Sequence, residues 1–191
     1  MKVLILGHSY VRDLKNLGFD SFTTEGTKFE LNYLYEPGGT YKTFIENPLL
    51  LNQAFEQRPD FVIVVLAGNS LNNAITNAEI YVQCRQFYQL LRNGLPETKI
   101  IATQAELRFY NDTNKWNAPG AEEYMKRRTV LNNFLRRMKT KDAIMMVAGK
   151  NRIDHEIYYR DGVHLSRTGV VKYFDFVKCT IAYQYRKHFK L

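Results

Sequence analysis

The sequence predicts an α/β protein, a three-layer α/β/α sandwich around a central parallel sheet of about five strands. Two observations lead there. Short apolar runs of strand length alternate along the chain with segments whose apolar residues recur at helical spacing, which is the pattern of a parallel sheet covered on both faces by helices. The residues able to carry chemistry stand just beyond the apolar runs, where open parallel sheets gather their ligand-binding loops. A length of 191 residues, 45% hydrophobic and 14% aromatic, is enough for one buried core, so residues 1–191 are expected to form a single domain, with room for it to be one part of a longer protein.

Each element has its own signal. Val3 to Leu6 reads as the first strand; the run is too short for a signal sequence and no small-residue cleavage site follows it. Tyr10 to Leu17 suits a helix, for which Ser9 is the natural N-cap. Glu30 to Tyr35 is a weaker strand. Leu49, Leu50, Gln53 and Phe55 suit a helix ending before Pro59, and Phe61 to Leu66 is the third strand. Ile80 to Leu91 is helical and stops at Gly94, Lys99 to Thr103 is the fourth strand, and Tyr110 to Gly120 is one long loop. Ala121 to Met138 is a further helix and Ala143 to Val147 the fifth strand. Val170, Phe174, Val177, Ile181 and Tyr185 draw one apolar stripe along the last helix.

Composition narrows the function classes. No apolar run is long enough to cross a membrane as a helix. Cys84 and Cys179 both fall on predicted helices, so a disulfide framework is not expected and a reducing compartment, cytoplasmic or nuclear, is. No pair of histidines or cysteines has metal-ligand spacing, and neither a metal nor another cofactor is implied. The net charge is +8. Lys126, Arg127, Arg136 and Arg137, with Lys172, Arg186 and Lys187, are candidate contacts for nucleic acid or an anionic lipid surface; the alternative is that they are solvated helix faces. The protein is expected to be a monomer.

The chemistry-bearing residues fall in separate blocks. Ser9 follows the first strand and offers a nucleophile. His164 and Asp161, entering the last helix, offer a base and a carboxylate to orient it. Gly39, after the second strand, and Asn69, after the third, offer a close-approaching backbone N–H and a side-chain amide, donors of the kind that stabilise an oxyanion; the N–H of Ser9 would be a third. Taken singly, each is commonplace: Asp161 beside Gly162 and Gly38-Gly39 after Pro37 are turn formers, and Asn69 a cap.

In combination they resemble the SGNH hydrolases, or GDSL-like esterases. Gly7-His8-Ser9, Pro37-Gly38-Gly39-Thr40, Leu66-Ala67-Gly68-Asn69-Ser70 and Asp161-Gly162-Val163-His164-Leu165-Ser166 match that family's four blocks in order, and the resemblance spans Leu6 to His164. The resemblance implies a flavodoxin-like sheet order, catalytic Ser9, His164 and Asp161, an oxyanion hole of Ser9, Gly39 and Asn69, and hydrolysis of carboxylic, short-chain acyl or acetyl esters through an acyl-enzyme. The chain departs from the pattern at His8, where the family usually has aspartate, and at Ser70, where it usually has a second carboxylate. Either Gly38 or Gly39 suits the oxyanion position, Gly39 preferred because it directly precedes Thr40. The string Gly7-His8-Ser9-Tyr10-Val11-Arg12 is also similar to retroelement-associated esterase domains. The competing expectation is an Oskar-like domain of the same fold, a nucleic-acid-binding module that works through its basic helices without catalysis.

Overall fold

The computed structural model describes residues 1–71, 75–108, 120–141, 145–147, 157–159 and 161–189. The expected loop from Tyr110 to Gly120 lies outside them except for Gly120. Six strands form one sheet in the order β2-β3-β1-β4-β5-β6: β1 (Lys2–Gly7), β2 (Ser21–Thr24), β3 (Thr27–Tyr35), β4 (Phe61–Val65), β5 (Lys99–Thr103) and β6 (Met145–Val147). Every pairing except β2 with β3 is parallel. The five expected strands are present, and without the β2 edge they have the flavodoxin-like order. The added strand is a hairpin partner of β3, joined through Glu25 and Gly26, both at positive φ, the conformation a tight hairpin turn requires.

Helices close both faces. On one face α1 (Ser9–Asn16) and α7 (Arg167–Phe189) lie over Val3, Ile5, Ile63 and Val65, with Tyr10, Val11, Leu14, Phe174 and Val177 in the seam. On the other, α2 (Tyr41–Glu46), α3 (Pro48–Glu56), α5 (Asn77–Gly94) and α6 (Ala121–Lys141) cover Leu4, Leu6, Val62, Val64 and Ile100. Because β1 and β4 are covered twice, every residue from Val3 to Leu6 and from Phe61 to Val65 is buried. This is why they read as continuous apolar runs rather than as alternating ones. No helix among the described residues is long and apolar enough to cross a membrane.

The chain reverses its sheet order between β1 and β4, and this opens a crevice at their carboxyl ends. Gly7 ends β1 against Val65 so closely that a Cβ there would lie 2.2 Å from the Val65 carbonyl oxygen. No side chain fits without parting the two central strands. Gly7→Ala is expected to destabilise the fold by about 3 kcal/mol through overpacking, read as a lowered denaturation midpoint; an unchanged midpoint would contradict this close packing.

Candidate active site

Ser9 is the first residue of α1, and its cap is not the one expected. The sequence suggested Ser9 as the N-cap; instead His8 occupies that position, its Nδ1 accepting the Tyr10 N–H at 3.4 Å. The Ser9 hydroxyl is thereby not spent on capping. Because an N–H donor needs an imidazole lone pair, His8 carries its proton on Nε2. It is wholly buried, and burial above all, then the nearby charge of Arg108, lowers its pKa well below the ordinary 6.5.

A neutral buried histidine has a consequence for stability. The unfolded chain protonates His8 below about pH 6.5 while the folded protein resists, so the unfolded state binds more protons there and stability falls as pH falls, by at most about 1.4 kcal/mol per unit. His8→Asn keeps a capping acceptor but does not titrate, and it is expected to flatten this dependence in chemical denaturation between about pH 5 and 7. Equal slopes in the two proteins would contradict a neutral His8.

The residues preceding α7 form a closed loop. Tyr159 N–H donates to the His164 carbonyl at 2.8 Å, Ser166 N–H to that of Ile157 at 2.8 Å, and Gly162, at φ 64°, turns the chain between them. Within it one Asp161 oxygen, Oδ1, accepts the N–H groups of Val163 (2.8 Å) and His164 (2.9 Å), and the other, Oδ2, meets His164 Nδ1 at 2.6 Å. Partial burial pushes the Asp161 carboxyl up, but the bonds from the His164 ring and the two N–H groups outweigh it, and its pKa lies below the ordinary value. With Nδ1–H held by the carboxylate, Nε2 is left as the basic nitrogen. Tyr10 joins this loop to α1: its hydroxyl donates to the Val163 carbonyl at 2.6 Å, across 153 residues of sequence. The residues flanking Ser9 and His164 are therefore in direct contact.

The candidate oxyanion donors come from the neighbouring strand ends. Asn69 lies in α4 (Ala67–Ser70), one turn after β4. Its Oδ1 accepts from Arg108 Nη2 at 2.6 Å. Arg has no acceptor, so the carbonyl end of the amide faces the guanidinium and the NH2 end is left for another partner. Gly38, at φ 74°, and Gly39 belong to a turn in which Gly39 N–H donates to the Glu36 carbonyl at 2.8 Å. Ser70, at the family's usual acidic position, accepts the Tyr41 N–H at 3.3 Å and donates to the Leu66 carbonyl at 3.2 Å, so it ties the start of α2 to α4 from within the core.

The sequence places Glu106 and Arg108 just beyond the fourth strand, where they could face the same cleft, but assigns them no role; Arg108 is 3% exposed and Glu106 half-buried. A Cβ on Gly68 would lie 2.8 Å from Glu106 Oε2 and 3.0 Å from Arg108 Nη2, so Gly68 makes room for both. The signal was present: two charged residues directly beyond the fourth apolar run. The basic residues need one correction. Arg127 is buried, with Nε on Asn77 Oδ1 at 3.1 Å and Nη1 on the Leu71 carbonyl at 3.3 Å; it ties Leu71 to Asn77 from inside and does not present its charge to a polyanion. Lys126, Arg136, Arg137, Lys172, Arg186 and Lys187 are exposed; Lys126 pairs with Glu122 at 2.8 Å and Arg186 with Glu25 at 3.0 Å.

No protein-family model matches the sequence, and no curated protein does. Solved structures do. A carbohydrate esterase of family 3 from Talaromyces cellulolyticus is similar at a TM-score of 0.67 and 14% identity, covering 98% of this chain and 99% of that one. An acetyl xylan esterase is similar at 0.65 and 16%, covering 95% and 100%. A GDSL-like lipase from Bacteroides thetaiotaomicron is similar at 0.62 and 17%, covering 97% and 88%. Sheet order, helix layers and these likenesses agree: the chain has the fold of the SGNH hydrolases, the GDSL-like lipases and acetyl esterases.

Proposed function

We propose that the protein is a serine esterase that hydrolyses short-chain acyl esters, acetyl esters foremost, through an acyl-enzyme on Ser9. The observation that carries this reading is the Asp161–His164 clasp fastened by Tyr10 to the first turn of the helix that Ser9 opens. Ser9 Oγ attacks the ester carbonyl as His164 Nε2 takes its proton. The tetrahedral intermediate collapses, and His164 returns the proton to the leaving alcohol. Water, deprotonated by the same nitrogen, then releases the acid and restores Ser9. Asp161 holds the ring in the tautomer that accepts at Nε2 and stabilises its charged form.

The developing oxyanion is met by the N–H of Ser9 at the helix start, by the Asn69 NH2 and by Gly39. The Gly39 N–H already closes a turn on Glu36, so it has to share that bond with the substrate. Asn69 is then the principal side-chain donor. Acetyl esters are the first choice because similarly folded proteins include an acetyl xylan esterase.

Asn69→Ala is expected to lower kcat for an aryl acetate by about 100- to 1,000-fold, as loss of one oxyanion donor does in acyl transfer. Near wild-type turnover would remove Asn69 from the site. An aryl acetate is expected to be hydrolysed faster than the matching hexanoate, and the reverse order would overturn the preference for short acyl groups. Retention on single-stranded nucleic acid that weakens steeply with salt, in a protein without esterase turnover, would favour the binding module instead.

A further inference from the structure

We propose that Arg108 is a positioning residue for the oxyanion pocket, fixing the Asn69 amide with its NH2 end toward the reacting oxygen. The inference rests on the esterase reading above and adds to it a residue from a different strand end. An asparagine at such a site is useful in only one of its two amide orientations, because the reversed amide would present a carbonyl oxygen to a developing negative charge. A backbone carbonyl partner would favour the wrong end, whereas a guanidinium, all donor, selects the right one. The 2.6 Å bond from Arg108 Nη2 to Asn69 Oδ1 is charge-assisted, and it draws electron density toward Oδ1, which strengthens the NH2 group as a donor.

The segment bearing Arg108 is built to hold it still. Asn132 Oδ1 accepts the Ala105 N–H at 2.9 Å and Arg128 Nε donates to the Ala105 carbonyl at 2.8 Å. The Tyr124 hydroxyl donates to the Glu106 carbonyl at 2.9 Å, and the Tyr158 hydroxyl to that of Leu107 at 2.7 Å. Three successive carbonyls are thus held by side chains, while the guanidinium lies 5.8 Å from the Tyr124 ring centre. Gly68 leaves open the space through which Arg108 and Glu106 approach α4. An arginine serving only to neutralise Glu106 would not need to spend a charged donor on the Asn69 carbonyl oxygen.

The test is a double-mutant cycle on kcat and KM for an aryl acetate, with Arg108→Met, Asn69→Ala and the pair, each checked for a cooperative unfolding transition. Arg108→Met is expected to lower kcat about ten- to a hundredfold with KM within about threefold, and to add less than about twofold once Asn69 is alanine. Arg108→Lys, which keeps the charge and one donor, is expected to recover a substantial part of the loss, and it carries the same cycle if the methionine variant does not fold. Additive losses, or an Arg108→Met variant with wild-type kcat, would overturn the inference while leaving the esterase reading intact. Absence of any Ser9-dependent turnover in the wild-type protein would overturn both.

Discussion

Ser9→Ala is expected to lower kcat for an aryl acetate by about four to six orders of magnitude, to the level that binding and the oxyanion pocket supply by themselves. Stability should hardly change. Ser9 is the first residue of α1 and its helix is capped by His8, so alanine removes no cap and suits the helical position. Activity and stability therefore separate in this variant. A Ser9→Ala protein that unfolds like the wild type but retains its turnover would place the nucleophile elsewhere.

Asp161→Asn is expected to be nearly as severe, about 1,000- to 10,000-fold in kcat with little change in KM, for a reason visible in the loop. One carboxylate oxygen accepts two backbone N–H groups and the other faces His164 Nδ1. In the asparagine variant the backbone bonds keep the amide oxygen where Oδ1 was, and the NH2 group is forced onto Nδ1. His164 then has to accept at Nδ1 and carry its proton on Nε2, the tautomer that cannot take a proton from Ser9. The loop keeps its shape while the base is disabled. Turnover within tenfold of wild type would mean that Asp161 is there to fold the loop and not to orient His164.

What the sequence disclosed, and what it did not, follows from burial and chain separation. β1, β4 and β5 were legible because they are covered on both faces and so spell unbroken apolar runs. β2 was not: Ser21–Thr24 lies at the sheet edge with no residue buried, and its signal was the Glu25-Gly26 turn. The short helices α2 and α4, six and four residues long, carry too little periodicity to stand out. Ser9, Asp161, His164 and Asn69 could be named as candidates because each sits in a local block whose spacing survives on paper. The contact between Arg108 and Asn69 spans 39 residues and exists only because β4 and β5 are neighbours. Arg127 was misread as surface although Tyr124, Leu131, Leu135 and Met138 mark the inward stripe of α6, and position 127 falls on that stripe three residues after Tyr124. Helical phase was the signal, and charge concealed it.

The central claim, that Ser9 is a nucleophile activated by His164, is tested most directly by covalent labelling with an organophosphonate probe, read by intact mass and peptide mapping. The folded wild-type protein is predicted to take up one adduct on Ser9, Ser9→Ala none, and His164→Ala an adduct that forms far more slowly. No adduct on Ser9 in the folded protein, or labelling at the same rate without His164, would contradict the claim.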